Sequence, residues 1–413
     1  MMAAARGRVL DVTRLVLRTG RPTLTGIDRV ELAYLREFLA RPEPLFLLMR
    51  QGRRQWLLPR PAGVLLERWL GGAGLVPRGP VERLLARRGI PVLAARRLRR
   101  LALGGAMPDG VAVLLARHLP GGGWYFNTGH VNAGEGLFAA LRSLPGMRVA
   151  VLVHDTIPLD LPQFSRPHAV EEMGALVAAV VRGADLVICN SAATRQDLAR
   201  NAVRYGPLPQ SIVAHLGTEV AAPDPEALPG GLPMDRPFFL ALGTIEPRKN
   251  HALLLDVWDR LHEVMPEAEV PRLFLVGRRG WRNEDFLARL DSSPHLGRSI
   301  LELPDLSDGA VAALLAGARA LLMPSLAEGY GLPVAEAAAA GTPVIAAPLP
   351  VYVEIVADYP VYVAQGDLYS WAARIQEHLG TDAAVLGAMR RCVPQFARKT
   401  WAGHFHHVLS KAC

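Results

Sequence analysis

Cysteine is scarce in this sequence. Cys189, Cys392 and Cys413 are odd in number and far apart, which fits neither a disulfide framework nor a metal-ligand spacing. A reducing cytoplasm is the simplest setting for such a chain. Long apolar runs are missing too. Arg182 breaks "LVAAVVRGADLVI" and Arg319 breaks "VAALLAGARALLMP", so no segment reaches the roughly 18 apolar residues of a membrane-spanning helix. The start, "MMAAARGRVLDVTRLVL", is interrupted by Asp11 and Arg14, and an apolar core of signal-peptide length is not expected. Nucleic-acid signatures are absent as well. The most basic stretch has only Trp56 and Trp69 among its arginines and no recognised binding motif, so no nucleic-acid partner is expected.

What is there is mostly apolar: 50% of 413 residues are hydrophobic, 20% are charged, and the net charge is +8. That length and composition allow two or three domains with substantial cores. The positive charge is uneven. Residues 50–102 hold thirteen arginines against two acids, Glu67 and Glu82. Their interleaving with Trp69, Leu70, Leu84, Leu85, Leu98 and Leu101 leaves two readings open. One is a solvated arginine-rich face; the other is a basic amphipathic surface on anionic lipid headgroups, placing the protein peripherally on the inner face of the plasma membrane.

Strand-like and helix-like stretches alternate, which predicts α/β architecture with parallel sheets covered on both faces. "RVLDVTRLVL" reads as a strand and "IDRVELAYLREFLA" as a helix. "MRVAVLVHDTIPLD" and "ADLVICNS" read as buried strands ending in polar loops. Residues 221–237 contain five prolines and two glycines, a linker composition. The expected organisation is therefore a first domain over 1–220, a linker over 221–237, a second domain over 238–395 and a terminal helix over 396–413. Two such units imply a cleft at the carboxyl ends of their strands.

Two motifs fall at such ends. In "EGYGLPVAEAAAAG", Pro333 suits the first turn of a short helix, placing Glu336 in that turn and Glu328 in the loop before it. Gly329 and Gly331 leave loop amides bare beside an anion-attracting helix N-terminus. From the residues alone, the glutamates either grip hydroxyls around an anion site or serve as a helix-dipole partner and a solvated loop residue. In "LALGTIEPRKNHALLLDVW", Arg248 and Lys249 precede a helix that Asn250 is placed to cap. The pair suits a diphosphate or a plain basic loop. His154 in "VLVHDTIP" reads as structural or as a cleft group, and Gly26 in "TLTGIDRV" as a simple turn or a site of close ligand approach.

Together these stretches resemble the GT-B retaining glycosyltransferases of the family 4 type, which include bacterial polysaccharide and mannosyltransferase members. The resemblance rests on "EGYGLPVAE", "GTIEPRKN" and "LVGRRGW … LPDLSDGAVAALLAGARALLMPS", and on "TGIDRVELAYL" and "VLVHDTIPLD … ADLVICNSAATRQDL". It covers nearly the whole chain and is strongest from Phe238 to Ile355. It implies two Rossmann-like, doubly wound parallel-sheet domains facing a cleft, the first for acceptor and the second for a nucleotide-sugar donor. Lys249 with Arg248 would neutralise the donor diphosphate, Glu336 would bind the ribose, and Glu328 would contact the transferred sugar. His154 would reach that sugar from the opposite domain. Gly243 and Thr244 at a strand end, and the amides of Gly329, Tyr330, Gly331 and Leu332, would line the donor site; Gly26 would serve a phosphate or the acceptor.

The resemblance further implies no cofactor and no metal, and the sequence has no Asp-x-Asp element. It points to GDP-mannose ahead of UDP-sugars as donor and to a glycan or lipid-linked acceptor in surface polysaccharide assembly. Two departures stand out. Thr244 occupies a position where many relatives carry arginine, so Arg248 is expected to take that duty, and Glu354 lacks the usual glycine-rich turn before it. A nucleotide-sugar epimerase or hydrolase on the same fold is a rival reading. A non-catalytic glycan-binding scaffold is another, and it predicts damaged donor residues, whereas Glu328, Glu336, Arg248 and Lys249 are all present.

Overall fold

A computed structural model describes residues 7–21, 23–380 and 399–412. Cys392, Cys413 and residues 381–398 of the expected second domain and terminal helix lie outside the described residues. The first half builds an eight-stranded sheet from β1 (Gly7–Asp11), β2 (Leu45–Gln51), β3 (Arg54–Pro59), β4 (Gly104–Ala106), β5 (Gly123–Asn127), β6 (Met147–Val153), β7 (Leu186–Cys189) and β8 (Ser211–Val213). Their order is β4-β3-β2-β1-β5-β6-β7-β8. The second half builds a six-stranded sheet from β9 (Phe238–Leu242), β10 (Arg272–Val276), β11 (Ile300–Leu303), β12 (Leu321–Met323), β13 (Val344–Ala346) and β14 (Val361–Tyr362), ordered β11-β10-β9-β12-β13-β14. Every pairing in the second sheet is parallel.

The central strands are apolar along their whole length because helices cover both faces. Alternate residues of β1, β5 and β6 feed two cores. Val9, Tyr125 and Val151 pack with Phe138 and Val177, while Leu10, Phe126 and Leu152 pack with Tyr34 and Phe38 of the helix Gly26–Ala40. The second of these cores continues without a break into Phe274, Leu314, Tyr330 and Tyr352 of the other sheet. The helix Trp401–Lys411 returns to the first sheet's side, where His404 Nε2 lies 2.9 Å from the Tyr34 hydroxyl and Phe405 packs edge-on against Tyr34. Cys189 is a core residue, its thiol pushed up to about 12 by burial.

Three expectations need correction. "RVLDVTRLVL" is not one strand: β1 ends at Asp11 and a helix runs over Thr13–Arg18. The Asp11 carboxylate accepts the Thr13 amide at 2.9 Å and the Tyr125 hydroxyl at 3.0 Å, which turns the chain out of the sheet. The first sheet is not wholly parallel, because β3 pairs antiparallel with both β2 and β4. Gly52, with φ of 60°, supplies the left-handed residue for a two-residue turn between β2 and β3.

Finally, Leu98 does not belong to the arginine-rich surface. It is fully buried, and Trp69 and Leu70 pack partly against the same core. The exposed large apolar residues of that region are Val64, Val76, Val81, Leu84, Val92 and Leu101. The helix Gly79–Arg87 buries only Glu82. That carboxylate holds Arg97 at 2.6 Å and Arg100 at 3.3 Å, so Arg97 is committed to the fold. Among the described residues, no helix is long and apolar enough to cross a membrane.

Candidate functional site

The carboxyl ends of the two sheets face each other, and a cavity of about 210 Å³ lies between them. Its floor is made by Gly243 and Gly277, which follow β9 and β10. Both have φ in the left-handed range, 130° and 151°, and a Cβ on Gly277 would strike the Gly243 carbonyl. Only glycine permits this close approach. Leu306, Val311 and Leu315 form an apolar wall, and the ion-paired Arg278 and Asp305 stand at its edge.

Glu336 lines the cavity from the helix Leu332–Ala339. Gly331, at φ 96°, starts that helix, and Pro333 sits in its first turn, which places Glu336 one turn in. The carboxylate is 12% exposed and lies 2.6 Å from Arg29 Nη1, a residue of the opposite half. Burial raises its pKa, and Arg29 draws it part of the way back.

Lys249 lies just beneath the floor. A Cβ on Gly243 would sit 3.3 Å from the Lys249 Cε and Nζ. Lys249 and Arg248 are not bare cations, however. Lys249 Nζ donates to Glu328 at 2.5 Å, Arg248 donates to the other oxygen of Glu328 at 2.8 Å, and Arg248 also pairs with buried Glu246 at 2.5 Å. Ser325 Oγ and the Tyr352 hydroxyl complete the shell of Glu328 at 2.9 and 3.3 Å. Burial alone would raise the Glu328 pKa, but Lys249 and Arg248 outweigh it and hold the group down at about 2. Burial pulls Lys249 below its ordinary range, while the surrounding carboxylates keep Arg248 above its own.

The remaining expected residues are scattered around this seam. His154 follows β6 and is buried, its Nε2 2.7 Å from the Thr128 carbonyl. Burial lowers its pKa to about 4, so the ring is neutral, with Nε2 donating and Nδ1 left as an acceptor. Gly329 touches the other half directly: a Cβ there would press on the His154 carbonyl at 2.5 Å, and Thr194 Oγ1 donates to the Gly329 carbonyl. Tyr330 is buried, its hydroxyl donating to the Leu216 carbonyl. Gly331 is pinned against the Tyr352 ring. Leu332 faces Gly26, which begins the helix Gly26–Ala40; a Cβ on Gly26 would lie 3.3 Å from the Leu332 methyl. Of the expected residues, Glu336 and Gly243 line the cavity itself.

Asn250 departs from expectation. It takes a left-handed conformation, and its side chain donates to the Pro324 and Gln365 carbonyls instead of capping the helix His251–Val264. Thr244 contributes no cation, and Arg248 remains with its two carboxylates. Sequence reading missed Glu246, although it lies inside the quoted loop, and Arg29, whose four-residue spacing from Thr25 on a helix start was the available signal. It also left Glu354 unassigned. That carboxylate accepts the Ala192 and Ala193 amides at 2.6 and 3.1 Å and lies 2.8 Å from His215 Nε2. It thereby clasps the N-terminus of the helix Ala192–Ala202 from the opposite half.

Comparison with known proteins agrees with this architecture. Residues 228–387 match the family of glycosyl transferases group 1. The serotype-specific mannosyltransferase WbdA of Escherichia coli is 32% identical over 233 residues, covering 52% of this chain and 28% of that protein. The chain therefore spans less than a third of the length of that relative. Among solved structures, Anabaena Alr3699/HepE in complex with UDP superposes with a TM-score of 0.55 at 15% identity, over 98% of this chain and 95% of that one. Sucrose-phosphate synthase from Thermosynechococcus elongatus gives 0.59 at 17% identity, over 98% of each chain. The fold is GT-B, and the match to glycosyl transferases group 1 falls on its second half.

Proposed function

We propose that this protein is a retaining, metal-independent glycosyltransferase that moves mannose from GDP-mannose to a glycan or lipid-linked acceptor in surface polysaccharide assembly. It would work in the cytoplasm, at the inner face of the plasma membrane. One observation carries the reading: a cavity at the carboxyl ends of both sheets is lined by a glutamate and an apolar wall, with a lysine directly under its glycine floor. A nucleoside base fits Leu306, Val311 and Leu315, and ribose hydroxyls suit Glu336. The diphosphate then lies by Gly243, next to Lys249.

As the acceptor hydroxyl oxygen bonds to the anomeric carbon, the bond from that carbon to the diphosphate oxygen breaks, its electron pair moves onto the diphosphate, and the diphosphate takes up the acceptor's proton. Lys249 and Arg248, locked in place by Glu328 and Glu246, are preorganised to stabilise that growing charge. They supply that stabilisation as organic cations. Glu328 stays ionised at any ordinary pH and fixes both cations. The free Nδ1 of neutral His154 accepts a hydrogen bond from a sugar hydroxyl at the seam. The choice of mannose is supported by the naming of WbdA as a mannosyltransferase. The membrane reading is supported by the exposed arginines and apolar residues of the helix Gly79–Arg87.

The assignment divides labour between the two glutamates, and calorimetry with GDP tests that division. Glu336→Ala should weaken GDP binding by about tenfold, the worth of a hydrogen-bonded charged group. Glu328→Ala should not weaken it, because removing this carboxylate frees Lys249 for phosphate while Arg248 keeps Glu246; it should instead impair use of the donor sugar. Equal losses of GDP affinity in both variants would overturn the division.

A further inference from the structure

Around the phosphate position the charges already cancel. Arg248 and Lys249 contribute two cations, and Glu246 and Glu328 contribute two carboxylates within 2.8 Å of them. A diphosphate joining a nucleoside to a sugar brings a full negative charge on each phosphoryl group, so this quartet alone leaves the ligand uncompensated. Among the described residues, two arginines line the cavity, Arg29 and Arg278. Arg278 is held by Asp305 at the edge. Arg29 reaches in from the helix Gly26–Ala40 of the opposite half. It pairs with Glu336, and its other nitrogen lies 3.5 Å from the Glu219 carbonyl in the segment that crosses between the halves.

Glu336 is the group proposed above for the ribose, and its carboxylate is already raised in pKa by burial. Ribose hydroxyls donating to Glu336 compete with Arg29 for the same oxygens. The Arg29 side chain, 32% exposed, lines the same cavity as Gly243, where the diphosphate is proposed to lie.

We infer that Arg29 is a donor-binding residue contributed by the first half, exchanging its partner Glu336 for the donor diphosphate when the ribose arrives. This rests on the proposed donor site. The exchange gives the ligand a cation without leaving an unpaired carboxylate, and it couples occupancy of the second half to a residue of the first. Nucleoside and nucleoside diphosphate should then respond to Arg29 in opposite ways. A nucleoside only competes with Arg29, whereas a diphosphate gains it.

The test is calorimetry of guanosine, GDP, uridine and UDP with the native protein, Arg29→Gln and Arg29→Lys. Thermal melting of the ligand-free variants establishes that they are folded. Arg29→Gln should bind the preferred diphosphate about tenfold more weakly, the loss of one charge-assisted hydrogen bond, and bind the matching nucleoside as well as or better than the native protein. Arg29→Lys should recover part of the diphosphate affinity. Equal weakening for nucleoside and diphosphate, or no change for either, would overturn the exchange while leaving the donor site standing. If the native protein binds neither diphosphate, the donor-site reading falls and this inference falls with it.

Discussion

Lys249 and Glu328 meet at 2.5 Å with side chains only 9% and 6% exposed, so removing either strands part of the other's charge. Breaking a buried pair by deleting one partner costs about 3–5 kcal/mol, and Arg248, still bound to Glu328, softens that loss. Lys249→Ala is therefore expected to melt earlier than the native protein and to lose at least about a hundredfold in turnover, on the order of one preorganised charge-stabilising group. Melting curves and turnover below the variant's transition check both. Near-normal turnover would remove Lys249 from the chemistry.

The pH dependence follows from Glu328. Its folded pKa, about 2, lies below the ordinary carboxylate value. The stability it contributes is fully present above that ordinary value and is lost as pH falls toward 2. Lys249→Ala should move acid unfolding to higher pH. At this scale the sequence was partly legible. Local spacing put Glu336 on a first helical turn and the two cations at a strand end. That Glu328 lies between those cations could not be read, because the contact joins positions 79 and 80 residues apart.

Among the elements, the helix Gly79–Arg87 is the least conventional. It holds to its neighbour Ile90–Arg99 through a buried glutamate and turns Val81 and Leu84 outward beside Arg83 and Arg87. An ordinary surface helix does the reverse. Such a face suits an anionic lipid surface, where each arginine is worth about 1 kcal/mol. Arg83→Gln, Leu84→Gln and Arg87→Gln combined should weaken co-sedimentation with anionic liposomes and leave GDP affinity unchanged. Arg97 is kept intact because it anchors Glu82. Native binding should fade at about 0.5 M salt as screening shortens. If the native protein does not co-sediment at low salt, the face is merely solvated.

Alternation of strands and helices was legible because buried parallel strands are apolar throughout. The antiparallel edge was not. β3 lies within arginine-rich sequence, where surface charge masks the strand pattern and only Gly52 marks a turn, and β4 is a three-residue Gly-Gly-Ala strand with no side-chain alternation to read.

Taken whole, the molecule joins two GT-B halves through a shared core and polar links across the seam, among them Arg29 to Glu336, Thr194 to Gly329, Tyr330 to Leu216, and Glu354 to the helix Ala192–Ala202. Each link involves a motif that sequence alone assigned to one half, which is why their partners were invisible there. The reaction proposed for this seam is transfer of a hexose from a nucleotide sugar. The most direct measurement supplies GDP-mannose labelled in the sugar, with and without a glycan or lipid-linked acceptor fraction, and follows the label by mass spectrometry. Labelled mannose should become covalently joined to the acceptor, with the α-configuration of the donor kept and GDP released in equal amount. Label found only as free mannose, or left in unconsumed donor whatever acceptor is supplied, would contradict that transfer.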